Sequence, residues 1–386
     1  MKRLAALCAV VWVLFALPAE SAAIRVGEIA TLTGDYEAYG TAEAAAVAMA
    51  VEEINAAGGV LGRPLELILY DCRTLQEETV NVARRLIVED KVTAVIGPSG
   101  SGLCIAAAPV FAERRVPHIA TLPTNPLVTV DEGGKTRPYS FRVSFLDPYQ
   151  GRVMAWFAAK EMNFKKAAIL SEARSEYSHD LRGFFIERFK KYGGTIVAVE
   201  SFNSGASDFR AQLAAIKESE PDVLVYPFMG RALPLAVRQA REMGLAMPIV
   251  GGDGYGNFMW EIAGAALGNT YWISHIDRYD PTLKPFFDKY EARTGAECQE
   301  FMNAVAAYDC VYWLKDAIER AGTNDPVKVR DALESTKDLK LTHAVLTMDE
   351  FHNPKDKDAV ILSCDPVQEK ALFFKRIRPG DDLLAP

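Results

Sequence analysis

Long apolar runs are scarce in this chain of 386 residues. The apolar run Leu4–Leu17 is shorter than the ~20 residues that an ordinary membrane-spanning helix needs. It follows Lys2 and Arg3, and the small residues of Ser21-Ala22-Ala23 lie beyond it, as at the cleavage site of a secretion signal. We therefore predict a removable export signal over residues 1–23. The competing interpretation is an uncleaved amino-terminal anchor.

Basic residues are also in deficit. The chain has 43 Lys and Arg against 51 Asp and Glu, and its formal net charge is −8. Nucleic acids and anionic membrane surfaces select for basic patches. The charge balance therefore argues against both as partners.

Cysteine and histidine are too few and too dispersed for a zinc site. There is no C-x-x-C pattern, and the five His are scattered. We expect no metal and no cofactor. Beyond the signal, five cysteines remain, an odd number, so at least one thiol is free or pairs between chains. An oxidising compartment permits a disulfide between Cys72 and Cys104, and two free thiols are the equal alternative.

Catalytic motifs are missing as well. Neither G-x-S-x-G nor H-E-x-x-H occurs, and Leu103-Cys104 stands where a phosphate loop needs Lys-Ser/Thr. The first strand–helix turn lacks the dinucleotide spacing. We expect a protein that is not an enzyme. A secreted hydrolase that uses a cleft serine remains a remote alternative.

The chain does contain alternating strands and helices. Short Val- and Ile-rich runs predict buried parallel strands, and amphipathic segments between them predict helices. Two consecutive series of about four strands indicate an α/β fold with two Rossmann-like lobes, each built on a parallel sheet. The predicted strands are Ile24–Ala30, Leu65–Tyr70, Val92–Ile96 and Pro117–Thr121, followed by Ala167–Ser171, Thr195–Phe202, Val223–Tyr226 and Pro248–Gly251.

The division between the lobes falls near Phe141–Gly151, where turn residues replace the periodic pattern. Helices predicted after Ser274 must cover a lobe, and the first lobe is the plausible one. We assign residues 24–144 and 276–346 to lobe 1, and residues 145–275 and 347–386 to lobe 2. Several crossings of this kind form a hinge that lets two lobes close on a ligand.

Two loops of the first lobe carry candidate ligand-binding hydroxyls. Ser101 lies in Gly97–Gly102, before a helix whose N-terminus favours an anion. Thr124 follows the next strand. Together they could form an uncharged carboxylate cradle. The alternative is that both loops are ordinary turns that bind nothing.

A loop of the second lobe carries a candidate acid. Asp253 stands between glycines after a predicted strand and could accept hydrogen bonds from a ligand ammonium. An Asx-turn is the equal alternative. Tyr39, Tyr177 and Tyr255 lie on the same set of loops, and tyrosine suits a small amphipathic ligand. We expect Tyr308, Tyr312 and Trp313 to pack in the core instead.

These segments together resemble a known family, the type I periplasmic binding proteins of branched-chain amino acid uptake systems. The resemblance spans nearly the whole mature chain, in the family's order. It is carried by the segments TLTGDYEAYG, EEINAAGGVLGRPLEL, AVIGPSGSG, TLPTNP, SEYSHDL, RQAREMGL and GGDGYGN.

The resemblance implies two lobes joined by a three-strand hinge. It implies that Ser101 and Thr124 hold the ligand carboxylate and that the Leu122 carbonyl and Asp253 meet the ammonium. Tyr39 and Tyr177 match aromatic residues of the cleft. The chain departs from the family at two positions of the cleft: Met229 stands in place of a second aromatic residue, and Asp253 stands in place of a longer glutamate. Cys72 and Cys104 lie near the family's disulfide positions but not on them.

The resemblance also implies a function. We expect a periplasmic, monomeric solute-binding protein that captures a small amino acid of the branched-chain type and delivers it to an ABC permease in the inner membrane. The alternative ligand is a carboxylate without an amino group, such as an aromatic or aliphatic acid.

Overall fold

The structure is a computed structural model that describes residues 22–379. The predicted export signal lies almost entirely outside the described residues. Within residues 22–379, no helix combines the length and the apolar character that a membrane crossing requires.

Lobe 1 is built on a five-stranded parallel sheet with strand order β2-β1-β3-β4-β5. Helices cover the sheet, so strands such as β1 are almost entirely buried and appear in the sequence as apolar runs. The strands are β1 Ile24–Ala30, β2 Leu65–Asp71, β3 Ala94–Ile96, β4 His118–Ala120 and β5 Ser140–Arg142, and the helices between them are α1 Glu37–Ala56, α2 Gln76–Val88 and α3 Ser101–Arg114.

Lobe 2 is built on a seven-stranded sheet with strand order β14-β13-β10-β9-β8-β6-β7. Strands β6 to β10 are parallel, whereas β13 and β14 are antiparallel, so this sheet is mixed rather than wholly parallel. The strands are β6 Lys166–Glu172, β7 Thr195–Phe202, β8 Val223–Tyr226, β9 Ile249–Gly251, β10 Thr270–Ser274, β13 Ala359–Asp365 and β14 Lys370–Ile377. The helices are α4 Asp147–Trp156, α5 Glu176–Lys191, α6 Arg210–Glu218, α7 Ala232–Glu242 and α8 Met259–Ala263.

The helices after β10 return to lobe 1. They are α9 Lys284–Thr294, α10 Phe301–Ala321 and α11 Pro326–Glu334, and the short hairpin β11 Leu339–Lys340 and β12 Val345–Leu346 follows. Helix α10 packs along α1, and the hydroxyl of Tyr308 donates to Glu53 at 2.6 Å. The chain therefore crosses between the lobes three times: after β5, after β10 and before β13. The residue boundaries that we drew for the lobes stay a prediction.

The first crossing runs from β5 to α4. The turn-rich segment around Phe141–Gly151 contains the end of β5 and the start of α4. Asp147 and Pro148 begin that helix, where proline needs no hydrogen-bond partner for its nitrogen. The turn residues of this segment therefore mark the N-terminus of α4.

Candidate functional site

A small enclosed cavity lies between the lobes, where loops from the strand ends of both sheets meet. Its volume is about 20 Å³, close to the space that one water molecule needs. Ligands of open α/β sheets bind at this edge. The cavity includes seven of the eight residues that the sequence nominated. Its lining is Tyr39, Ser99, Gly100, Ser101, Leu122, Pro123, Thr124, Tyr177, Met229, Asp253, Gly254 and Asn303.

The lobe 1 wall offers uncharged donors. Ser101 is the first residue of α3, where backbone N–H groups lack helical partners and the helix dipole is positive. The loop that carries Thr124 is fixed by buried Arg142, which donates to the carbonyls of Pro123 at 2.9 Å and Asn125 at 2.8 Å. A carboxylate suits this wall because both the hydroxyls and the helix N-terminus favour negative charge.

The lobe 2 wall presents Asp253, whose carboxylate is held from three sides. Its Oδ1 accepts from the Tyr177 hydroxyl at 2.9 Å and from Gln150 Nε2 at 3.1 Å. Its Oδ2 lies 2.8 Å from His275 Nε2. Burial lowers the pKa of His275 to about 4, so the imidazole is neutral near pH 7 and donates through Nε2. Asp253 is therefore positioned by hydrogen bonds and not by an opposite charge.

Two further acids, Asp147 and Glu43, lie behind residues that line the cavity. Burial raises the pKa of Asp147 well above its usual range, and the charge of Asp253 adds to the rise. Burial also raises the pKa of Glu43, beneath the lobe 1 wall. A positive ligand group would favour the ionised forms of these acids, whereas a second anion would oppose them.

Asn303 and Ser99 also line the cavity, and neither residue was predicted as a site residue from the sequence. Asn303 lies on α10, and its Nδ2 donates to Ser99 Oγ at 2.8 Å and to Glu43 Oε1 at 3.1 Å. The only local signal for Asn303 is a polar residue within the apolar run FMNAVAA. Gln150 and His275 were also missed, because the partner of each, Asp253, is distant in sequence.

The two lobes are closed over the cavity. The Tyr39 hydroxyl, from lobe 1, donates to the Gly254 carbonyl at 2.7 Å and accepts from the Gly230 N–H at 2.9 Å. Asn125 Nδ2 donates to Asp180 Oδ2 at 2.9 Å, also across the cleft. Tyr39 thus links both lobes at the edge of the cavity.

A larger outer cleft of about 540 Å³ adjoins the cavity. Its lining includes Ser101, Tyr177 and Met229, which also line the cavity, so these three residues lie between the two spaces. Charged side chains of both signs surround the outer cleft, among them Arg73, Arg174, Glu172 and Glu176. The outer cleft therefore borders the cavity at these three residues.

Tyr255, which the sequence also nominated, does not line the cavity. Its side chain is fully buried and stacks on Trp272 with ring centroids 5.7 Å apart. Gly251 makes room for this ring, since a Cβ there would lie 1.9 Å from Tyr255 Cε2. The loop turns at Gly254, which leaves Asp253 on the cavity and directs Tyr255 into the core.

The disulfide between Cys72 and Cys104 is not formed. The five cysteines of the described residues are free thiols. Cys72 packs with Ile29 and Leu103, whereas Cys104 packs with Ala120 in a separate apolar cluster and points to the carbonyl of Pro98 at 3.3 Å. The two side chains thus face different surroundings. Within residues 22–379 we also find no group of His, Cys, Asp and Glu side chains able to hold a metal ion.

The aromatic residues of α10 have mixed surroundings. Trp313 is buried in the core and donates to Thr336 Oγ1 at 2.8 Å. Tyr308 is also buried, and Tyr312 is partly buried beside it. Both hydroxyls reach Glu53 of α1. These residues therefore join α10 to lobe 1 and do not line the cavity.

The chain forms two α/β lobes, crosses between them three times and encloses a space at the strand ends. These features define a two-lobed binding protein. The chain belongs to the family of periplasmic binding proteins, whose family model matches residues 23–361. Family members serve as solute-binding components of transporters.

Curated relatives carry amino acid-binding names. The chain is 29% identical over 316 residues to the leucine-, isoleucine-, valine-, threonine-, and alanine-binding protein of Pseudomonas aeruginosa, covering 81% of this chain and 82% of that protein. It is 31% identical over 325 residues to the Leu/Ile/Val-binding protein BraC3 of Rhizobium johnstonii, covering 83% and 86%.

Solved structures share the fold. The leucine binding protein LivK of Thermotoga maritima has a TM-score of 0.85 and 32% identity, covering 93% of this chain and 99% of that one. LivJ of Streptococcus pneumoniae, in complex with isoleucine, has a TM-score of 0.85 and 31% identity, covering 93% and 100%. A Rhodopseudomonas palustris solute binding protein in complex with benzoate has a TM-score of 0.83 and 19% identity, covering 94% and 99%, and shows the fold alone.

Proposed function

We propose that this protein is the extracytoplasmic solute-binding component of an ABC importer and encloses a small α-amino acid of branched-chain size between its lobes. One observation carries the proposal. Uncharged donors of lobe 1, Ser101 and Thr124, and the acid of lobe 2, Asp253, face the same enclosed cavity. The two groups match the two charged ends of an amino acid.

Closure supplies the affinity in this proposal. Hydrogen bonds to charged groups contribute about 1.5–3 kcal/mol each and are stronger away from bulk water. The ligand carboxylate would meet Ser101, Thr124 and the α3 N-terminus. The ammonium would meet Asp253 and the carbonyl of Leu122, with Tyr39, Tyr177 and Met229 around the ligand.

A second candidate is a carboxylate that lacks the amino group. The observation in its favour is that Asp253 already accepts three hydrogen bonds, from Tyr177, Gln150 and His275. Asp253 could then be a structural acid.

The test compares valine with 3-methylbutanoate, its analogue without the amino group, by isothermal titration calorimetry. We expect the unmodified protein to bind valine more tightly than 3-methylbutanoate. In Asp253→Asn the affinity for valine should fall by about 10- to 100-fold, because a charge-assisted hydrogen bond is lost. The affinity for 3-methylbutanoate should change little. Asp208→Asn, an exposed acid of the same lobe, is the control. Equal binding of valine by Asp253→Asn and the unmodified protein would contradict the assignment.

The proposal extends to location and partners. A periplasmic site of action, an ABC permease as docking partner and a monomeric state agree with the predicted export signal and the family. We infer no catalysis: Ser101 Oγ accepts from the Asn125 N–H at 3.3 Å, and no histidine among the described residues lines the cavity. Light scattering of the purified protein checks the monomer, and hydrolysis of ester substrates would contradict the absence of catalysis.

A further inference from the structure

The part of the cavity that is left for a ligand side chain is polar. Ser101, Thr124 and Asp253 are committed to the two charged ends of the ligand in the proposed function. Ser99 and Asn303 then remain, with Tyr39 and Met229, to surround the side chain. A purely aliphatic side chain would leave the polar atoms of Ser99 and Asn303 without ligand partners.

The orientation of the Asn303 amide is fixed by its neighbours. Glu43 Oε1 accepts from Ser99 Oγ at 2.5 Å, from Thr121 Oγ1 at 2.6 Å and from Asn303 Nδ2 at 3.1 Å. Because this oxygen already accepts from two hydroxyls, the NH₂ group of Asn303 faces it. The reversed amide would place two oxygens against each other.

With its NH₂ group bound to Glu43 and Ser99, Asn303 has only its amide oxygen free to bond with a ligand. Asn303 is only 3% exposed, and its Oδ1 accepts no hydrogen bond from any residue in the described range 22–379. Ser99 Oγ already donates to Glu43 and accepts from Asn303. This end of the cavity therefore offers a free hydrogen-bond acceptor to a ligand.

We propose that the cavity selects an α-amino acid whose small side chain donates a hydrogen bond to Asn303 Oδ1, with a hydroxyl as the best fit. The inference rests on the proposed function and narrows its ligand class. Asn303 lines the cavity together with Ser99, Tyr39 and Met229, so a side chain placed there lies beside its amide. A hydroxyl reaching Asn303 would satisfy an acceptor that a methyl group cannot.

Threonine and valine test this inference because they have nearly the same shape and differ by a hydroxyl in place of a methyl. We expect calorimetry to show threonine binding at least 10-fold more tightly than valine. A site built to hydrogen-bond a ligand hydroxyl rejects the analogue that lacks it. In Asn303→Leu the preference should disappear, because leucine of similar size cannot accept. Asn81→Leu, an exposed asparagine on α2, is the matched control and should keep the preference.

The outcomes separate this inference from the proposed function. If valine binds to the unmodified protein as tightly as threonine, the hydroxyl selection is overturned and the amino acid function stands. If neither binds while 3-methylbutanoate does, both are overturned. Should circular dichroism show that Asn303→Leu is unfolded, the threonine–valine ratio of the unmodified protein decides, and serine against alanine repeats the comparison.

Discussion

At the scale of single residues, the lobe 2 wall depends on a close approach of backbone to side chains. Gly252 precedes Asp253, and a Cβ at Gly252 would lie 2.3 Å from Gln150 Oε1 and 2.4 Å from the Tyr177 hydroxyl. Glycine therefore lets both partners reach the acid. The glycine-rich sequence pointed to an accessible Asp253, and the contacts give the reason.

Tyr255 provides a prediction at this scale. Its hydroxyl is buried and has no hydrogen-bond partner among the described residues. Removing a buried hydroxyl that has no partner removes a desolvation cost of about 1–3 kcal/mol. We expect Tyr255→Phe to leave ligand affinity unchanged and to leave the free energy of unfolding equal or higher.

Urea denaturation and calorimetry measure the two quantities. Tyr177→Phe is the matched comparison, because its hydroxyl donates to Asp253. This variant should lose affinity. If Tyr255→Phe also lost ligand affinity, Tyr255 would have to contribute to ligand binding.

At the scale of elements, the start of α10 places an acid in the protein interior. Glu300 directly precedes α10, is 2% exposed, and accepts from the Phe258 N–H at 3.3 Å. Burial raises the pKa of Glu300 to about 8, and the Phe258 N–H only partly offsets the rise. The folded protein therefore holds a proton on Glu300 at a pH where the unfolded chain has lost it.

This difference predicts a pH dependence. Between pH 4.5, the ordinary pKa of a glutamate, and about pH 8, Glu300 binds more protons in the folded state than in the unfolded state. The contribution of Glu300 to the free energy of unfolding therefore falls as pH rises. Glu300→Gln removes the titration and keeps an acceptor for Phe258. We expect the variant to gain stability over the unmodified protein by up to about 1.4 kcal/mol per pH unit across this window.

Urea denaturation at pH 5, 6, 7 and 8 checks the difference. Glu297→Gln, an exposed neighbour, should show no such trend. A stability difference between Glu300→Gln and the unmodified protein that is constant with pH would contradict the buried titration.

At the scale of the whole molecule, closure and the hinge involve different contacts. Tyr39 and Asn125 join the lobes at the cleft. On the hinge side, Lys357 Nζ donates to the Val143 carbonyl at 2.6 Å and contacts His343, which pairs with Asp309. These contacts tie one crossing segment to another and to α10, so the hinge is held by polar groups within the protein.

Tyr39 gives the prediction for the whole molecule. Tyr39→Phe leaves the Gly254 carbonyl and the Gly230 N–H without their partner across the cleft. Two hydrogen bonds contribute about 1–3 kcal/mol together. We expect ligand affinity to fall by about 5- to 150-fold and the ligand-saturated protein to be less closed.

Calorimetry gives the affinity, and small-angle X-ray scattering gives the radius of gyration with ligand. Tyr279→Phe, an exposed tyrosine outside the cavity, is the control. Unchanged affinity and unchanged scattering in Tyr39→Phe would show that the lobes close without this contact.

The sequence by itself determined the alternation of strands and helices, the two α/β lobes and most of the loops that reach the cavity. These follow from local signals: periodic apolar residues, glycine at helix ends, and hydroxyl or acidic residues after strands. Ser101, Thr124 and Asp253 could be nominated because each lies within five residues of a strand's end.

Only the tertiary structure decided which side chains meet across the chain. Asn303 reaches the cavity from a helix about 200 residues beyond Ser99, and His275 and Gln150 reach Asp253 from separate elements. The direction of Tyr255 and the different surroundings of Cys72 and Cys104 were likewise invisible in the sequence. Local patterns fix where an element begins and ends, but the packing of distant elements fixes the direction in which each side chain points.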